Sequence, residues 1–249
     1  MDRLIYTAVS GMTDSMTRER VIASNMANAQ TIGFRSEVIY ATPVTLRGGP
    51  LEARAMADSE VRGVNMTGGT ITPTGRKLDI AVDGNDLIAV QAQDGSEVYT
   101  RRGDLSISAT GVLENGEGRP VIGNGGPITV PVDATVSIGP DGSVLVAQDG
   151  QPGLPPQPVD RIKLASPAGT QVQKGLDGLF RIAGGGTLPA NADAKVIPGS
   201  VEQSNVDPGE VLVQMVQAQR LFDIRTKLIA TAKEVDQSGT ALMRMSGSS

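Results

Sequence analysis

The chain predicts an α+β fold: terminal helices forming a coiled-coil-like pair, with a central antiparallel β domain between them. Two observations predict it. Apolar residues recur at helical spacing only near the ends, at residues 4–28 and 208–244. Asp-Gly pairs at 83, 94, 141, 149 and 177 and Asn-Gly pairs at 115 and 124 all fall between those segments. Such pairs tolerate the positive φ of primed hairpin turns and so punctuate short antiparallel strands. The expected organisation is a helical assembly core from 1–35 and 204–249, an extended connector at 36–65 and the β domain at 66–203.

Composition bounds what such a fold can do. With 249 residues the chain can bury a sizeable core, but it has three Phe, three Tyr and no Trp. The core must come from Val, Ile, Leu, Ala and Met, which suits thin β-layers and helix seams. Cysteine and histidine are both absent. Their absence removes disulfides, Ser-His and Cys-His nucleophile systems and ordinary zinc sites. A non-enzymatic protein without a cofactor is expected. A net charge of −5 argues against nucleic-acid binding, which needs clustered Lys and Arg. No window approaches the roughly 18 apolar residues of a membrane span, so no membrane insertion is expected. The start, Met1 to Tyr6, lacks the basic region and apolar run of a cleaved secretory signal.

In the first helical segment Ile5, Val9, Met12, Met16, Ala23 and Met26 recur at three, four and seven, with Glu19 at one seam position. Asp2 is the expected N-cap, and Gly11 costs about 1 kcal/mol relative to alanine. Ser24-Asn25-Met26-Ala27-Asn28 closes the helix, and Asn28, Thr31 and Gly33 break it. Asn25 and Asn28 lie on one face beside the seam. Their amides can cap the helix end and form a turn, and they can also bond across a helix contact and fix its register; the two readings are compatible.

The stretch from Thr42 to Val64, containing Gly48-Gly49-Pro50, fits neither period and reads as connector. Strand-like runs follow at Leu78–Val82, Leu87–Ala92, Val98–Arg101, Ile128–Val132 and Val144–Ala147, with a Pro-rich loop at 152–158. Asp79, Asp83 and Asp86 lack the glutamate spacing of a calcium loop, and Asp83-Gly84 is explained as a turn. The glycine runs at 123–126 and 184–186 lack the Lys-Ser/Thr of a phosphate loop. Arg101-Arg102 reads as a surface or salt-bridging pair.

The second helix is specified by Asp207-Pro208-Gly209-Glu210: a capping side chain, a proline in the first turn, then an acid. Two apolar stripes run from there. One is Val211, Met215, Ala218, Phe222, Ile229 and Ala232; the other is Leu221, Ile224, Leu228, Val235 and Leu242. Residues 208–244 would make a rod on the order of 55 Å long. One partner helix covers one stripe. The other packs either on the chain's own β block or on a neighbouring copy, which would recover roughly 25 cal/mol per Å² of apolar area.

At these residues the chain resembles a known family. Ser24-Asn25-Met26-Ala27-Asn28 followed by Thr31-Ile32-Gly33-Phe34-Arg35 is similar to the signature of bacterial flagellar axial proteins, the rod and hook subunits. Val201-Glu202-Gln203-Ser204-Asn205-Val206 and Gln219-Arg220-Leu221-Phe222-Asp223 resemble that family's carboxyl-terminal elements. Leu78 to Val82 and Tyr99-Thr100-Arg101 resemble its β-domain strands, with Leu87-Ile88 and Leu105 where phenylalanines are usual. Within the family the opening Met1 to Ala8, the run Gly126 to Pro131 and the length look most like the minor proximal-rod subunits. Distal-rod subunits come next, and hook subunits are normally longer.

The resemblance implies a structural subunit of the periplasmic rod in the flagellar basal body, exported through the type III apparatus without a cleaved signal. Its partners would be proximal and distal rod subunits, copies of itself and, in transit, the export apparatus. The implied assembly residues are Ser24, Asn25, Met26, Ala27, Asn28, Thr31, Gly33, Phe34, Arg35, Ser204, Asn205, Val206, Gln219, Arg220 and Phe222. From a different class, a secreted β-domain binding protein with its helices as an intramolecular clasp is the alternative.

Overall fold

The computed structural model describes residues 2–45, 55–132, 134–147 and 155–246. The predicted features at Gly48-Gly49-Pro50, Asp149-Gly150 and Pro152-Gly153-Leu154 lie outside those residues. The chain divides into two compact units, one holding both helices and the other holding residues 28–36 and 64–206.

The first unit contains α1 (Asp2–Ala27), the paired strands β1 (Glu37–Thr45) and β2 (Ala55–Val64), and α2 (Pro208–Ser246). The stretch read as extended connector therefore carries two paired strands. At the start of α2 the Asp207 carboxylate accepts from the N–H groups of Gly209 (2.8 Å) and Glu210 (3.2 Å), satisfying donors that the first turn leaves open. α1 lies against α2. Along α2 the inward residues are Val211, Met215, Ala218, Phe222, Arg225, Ile229 and Ala232, buried or half-buried, at alternating spacings of four and three.

On α1 the buried face differs from the predicted seam. Gly11, Ser15, Ile22 and Asn25 are turned inward, with Val21 beside them; of the predicted seam Met12, Glu19 and Met26 are half-buried, while Val9, Met16 and Ala23 are exposed. Scoring apolar residues alone favours Met and Val. Val21 and Ile22 supply the apolar part of the inward face, and Gly11 and Ser15 leave room for a large side chain from α2.

The second unit contains β3 (Ile71–Pro73), β4 (Ile80–Val82), β5 (Leu87–Gln91), β6 (Glu97–Thr100), β7 (Leu105–Ile107), β8 (Leu113–Asn115), β9 (Thr135–Ile138) and β10 (Ser143–Ala147). It continues with β11 (Gln157–Arg161), β12 (Leu164–Ala165), β13 (Val172–Lys174), β14 (Phe180–Ile182), β15 (Val196–Pro198) and β16 (Ser200–Glu202). Every named pairing among them is antiparallel. A five-stranded sheet runs β12-β5-β6-β14-β13 and a three-stranded one β11-β10-β9, with the pairs β15-β4, β16-β3 and β7-β8.

Strand periodicity explains why β5 reads as an unbroken apolar run. Successive side chains point to opposite faces. Ile88 and Val90 enter a large core with Val98, Leu105, Leu113, Val144 and Leu164, while Leu87 and Ala89 enter a smaller one with Tyr99, Phe180 and Leu188. Leu87, Ile88 and Leu105 are fully buried.

Two strand-level expectations are corrected. Ile128 to Val132 forms no named strand, only the isolated bridge of Thr129 with Val112, because Pro127 and Pro131 remove ladder donors on either side. The hairpins are also not primed. Among the described residues no non-glycine has positive φ, so the Asp of an Asp-Gly pair cannot take the first position of a type I′ turn. The loops starting at Ala92, Ser108, Asn115, Gly139 and Gly175 share another form: a turn ending on a left-handed glycine, closed by paired backbone bonds. In Asp94, Asp141 and Asp177 the carboxylate then accepts the N–H two residues on, which is why Asp precedes Gly.

Candidate assembly site

The segment that leaves α1 is held by side-chain amides. Asn25 is buried, donates from Nδ2 to the Glu37 carbonyl (3.0 Å) and accepts the Glu37 N–H at Oδ1 (2.9 Å), both bonds that a β-bridge would make. Ser24 donates to the Glu37 carboxylate at 3.4 Å. Met26 is half-buried and Ala27 exposed at the helix end. Asn28 opens a turn: its carbonyl accepts the Thr31 N–H (3.1 Å) and its side chain the Thr31 hydroxyl (3.1 Å). Asn28 thus forms the turn at the helix end, whereas Asn25 bonds to the backbone of β1.

The residues after that turn are packed tightly within the β unit. Gly33 has φ 69°, donates to the Glu202 carbonyl (2.7 Å), and would place a Cβ only 2.4 Å from the Arg101 carbonyl carbon. Only glycine satisfies both the dihedral and the approach. Phe34 is buried beneath Lys174, whose ammonium lies 3.3 Å from the ring centroid and donates to the Arg35 carbonyl at 3.0 Å.

Arg35, Glu202 and Arg101 form a buried ionic triad. Their exposures are 1%, 1% and 3%. Glu202 Oε1 takes Arg35 (2.6 Å) and the Gly69 N–H (2.8 Å), while Oε2 takes Arg101 Nε (2.8 Å). Arg101 also donates to the carbonyls of Val82 (2.9 Å) and Asp86, and Arg35 to that of Thr67. Burial pulls the Arg35 pKa down, opposed by Glu202 and reinforced by Arg101. One carboxylate thus ties the α1 exit, the β6–β7 link and β16 together. Arg101 is no surface residue; only Arg102 of that pair is partly exposed, forking onto Asp104 (2.8 and 2.9 Å).

The residues leading towards α2 meet the same place. Asn205 Oδ1 accepts the Ser36 N–H (2.7 Å), and its Nδ2 donates to the carbonyls of Asn65 (2.8 Å) and Thr67 (2.9 Å). Its backbone N–H donates to the Phe34 carbonyl at 3.2 Å. Ser204 accepts the Val206 N–H at 3.2 Å, and Val206 is buried. Residues 31–35 and 204–206 therefore converge on one network.

Gln219 and Arg220 stand exposed on α2, and Phe222 is half-buried in its inward stripe. The second stripe of α2 is exposed: Leu221 36%, Ile224 60%, Leu228 51% and Val235 54%. Leu242 falls where side chains are not described. Leu212, Val213 and Val216 widen the apolar surface near the start of the helix.

The sequence reading missed Glu202, Lys174 and Arg225. Glu202 had a signal, an acid beside the apolar Val201 and two residues before Ser204; Arg225 had one too, the gap of seven between Phe222 and Ile229. Lys174 had none. Asp79 accepts the Thr74 hydroxyl (2.6 Å) and Asp86 the Asn191 amide (2.9 Å), and no group able to hold a metal occurs among the described residues.

Comparison with known proteins bears directly on this site. Residues 5–35 match the family described as flagella basal body rod protein, residues 81–146 the flagellar hook protein FlgE/F/G D1 domain, and residues 197–242 the flagellar basal body rod FlgEFG protein C-terminal family. The chain is 36% identical over 252 residues to the flagellar basal-body rod protein FlgF of Salmonella typhimurium, covering 99% of this chain and 100% of that protein. The FlgF protein of Escherichia coli gives the same identity and coverage. The flagellar basal-body rod protein FlgG of Bacillus subtilis is 33% identical over 272 residues, covering 98% of this chain and all of that one, 100%.

Proposed function

Because this chain belongs to the flagellar basal-body rod proteins, is of the FlgF type, and is a structural subunit of the rod rather than an enzyme, we propose that it works as a proximal-rod subunit in the periplasm. In this reading α1 and α2 form a coiled-coil-like pair that polymerises into the wall of the drive shaft and its export channel. Neighbours are copies of itself and proximal and distal rod subunits, with the export apparatus as a partner in transit and no cleaved signal involved. The helical segments 1–35 and 204–249 serve as assembly core, 36–65 as connector and 66–203 as the β domain.

The observation that carries the proposal is the exposed stripe Leu221, Ile224, Leu228 and Val235. Apolar surface of that length on a helix already partnered along its other stripe is surface for another subunit. Heterologous contacts of this kind extend into helical filaments. Ser24, Asn25, Asn28, Thr31, Gly33, Phe34, Arg35, Ser204, Asn205 and Val206 act by bracing the chain on either side of the helices, and Gln219, Arg220 and Phe222 act on α2 itself.

The test is complementation. A strain lacking this chain should be non-motile with incomplete basal bodies. The double variant Ile224→Glu/Leu228→Glu should keep its helix content and β-unit stability yet fail to restore motility. Complete, rotating flagella without the chain would refute the assignment, and full rescue by the double variant would refute the role of the stripe.

A further inference from the structure

The inward stripe of α2 follows a strict four-three alternation, and one position on it is a cation. Arg225 sits between Phe222 and Ile229, half-buried, and its guanidinium donates to the Gly11 carbonyl and the Ser15 hydroxyl of α1. The Asp14 carboxylate lies 3.6 Å away. The α1 side is shaped to match. A Cβ at Gly11 would make ordinary contact, 3.6 Å from Arg225 Cζ and Nε, so the guanidinium rests directly over this position and a larger side chain there would compete for its space.

We infer that Arg225 is a positioning residue that fixes the register and rotation of α2 against α1. Elsewhere along α1 Arg225 meets a poorer seat. A slip of one heptad sets it against Leu4 and Ala8 or against Arg18 and Ile22. The first offers only the Thr7 hydroxyl in the place of the Asp14 carboxylate, with Leu4 in the place of Gly11; the second offers no side-chain acceptor and adds a like charge. Only Gly11 and Ser15, with Asp14 beside them, accept its protons while sparing it a clash. A polar seam group with a single compatible seat selects one register at a cost in apolar burial. Fixing the rotation of α2 also fixes the direction in which Leu221, Ile224, Leu228 and Val235 face. The inference concerns contacts within one chain and stands independently of the rod assignment.

The absence of cysteine makes the test clean. Thr13→Cys and Lys227→Cys, both exposed and two residues from the Arg225 contact on their respective helices, carry spin labels on the otherwise native full-length chain. The native background should give one narrow interlabel distance. Arg225→Met should broaden it or add a population displaced by on the order of 10 Å along the helix axis, the length of a heptad, with helix content unchanged. Arg225→Lys, keeping charge and donors, should hold the main peak. Gly11→Leu, which fills the seat while leaving Arg225 in place, should reproduce the broadening and covers the case in which Arg225→Met unfolds the helices. A native-like distribution in Gly11→Leu, or in a folded Arg225→Met, would overturn the inference. So would a native chain that already lacks a single peak.

Discussion

Replacing Glu202 by glutamine keeps the shape of the side chain and an oxygen for the Gly69 N–H but removes the only carboxylate between two buried guanidinium groups. Breaking a buried ion pair by removing one partner costs about 3–5 kcal/mol, because the remaining charge stays desolvated. Here two charges are stranded, at 1% and 3% exposure, and they also repel each other. A loss at the upper end of that range is expected. For a chain of this size about 1 kcal/mol corresponds to about 2–4 °C, so a loss of about 5 kcal/mol should lower the midpoint of the β unit by about 10–20 °C. Thermal and urea denaturation followed by circular dichroism measure it. The triple variant Arg35→Met/Glu202→Leu/Arg101→Met, which removes all the charges, should cost far less than Glu202→Gln alone. A Glu202→Gln chain within about 1 kcal/mol of the native one would refute the reasoning, since it would mean that water already screens the triad.

Gly33 and Gly75 separate backbone strain from crowding: at Gly75, with φ 74° and nothing within 4 Å of a Cβ, alanine should cost about 1–2 kcal/mol. At Gly33, where that Cβ meets the Arg101 backbone at 2.4 Å, alanine should cost about 1–3 kcal/mol more, read from the same denaturation curves. Asp207→Ala should lower stability of the α2 start by about 1 kcal/mol, seen as lost helicity in the first turn and a lower thermal midpoint. The Asp177 carboxyl is held below the usual carboxylate range, chiefly by the fork from Arg181. Since its folded pKa lies below the unfolded one, its contribution is complete above about pH 5 and disappears as pH falls through the folded value. Both side chains are partly exposed, so the effect is under about 1 kcal/mol; Asp177→Asn should flatten the stability profile below about pH 4, and an unchanged slope would count against the fork.

What the sequence disclosed and what it concealed differ in kind. Signals carried by local chemistry were legible: the Asp207-Pro208 start of α2, its two stripes, and the turns around β5, β6 and β10. The convergence of residues 31–35 with 204–206 could be approached only through resemblance, because nothing local says that Asn205 bonds Ser36 or that Glu202 lies between Arg35 and Arg101. Charge burial in particular leaves no periodic trace; Arg101 beside Arg102 looks like two surface residues until the sheet is closed over one of them. The face of α1 was misjudged for a related reason. Hydrophobicity scores reward Val9 and Met16, whereas the buried side includes the small Gly11 and Ser15, and the cation they accommodate sits far along the chain. Proline explains the missing strand at 128–132, and the absence of any positive φ outside glycine among the described residues explains why Asp-Gly there gave loops ending on a left-handed glycine and not primed turns.

The alternation of β5 between two cores makes that strand a party wall. Ile88 and Val90 belong to one room, Leu87 and Ala89 to the other, so neither can be emptied while the other stays furnished. A single inserted residue there would swap the tenants of both sides at once. The outer loops of this unit can drift in length, but the wall itself cannot change phase, and its amides should be the last in the β unit to exchange with solvent.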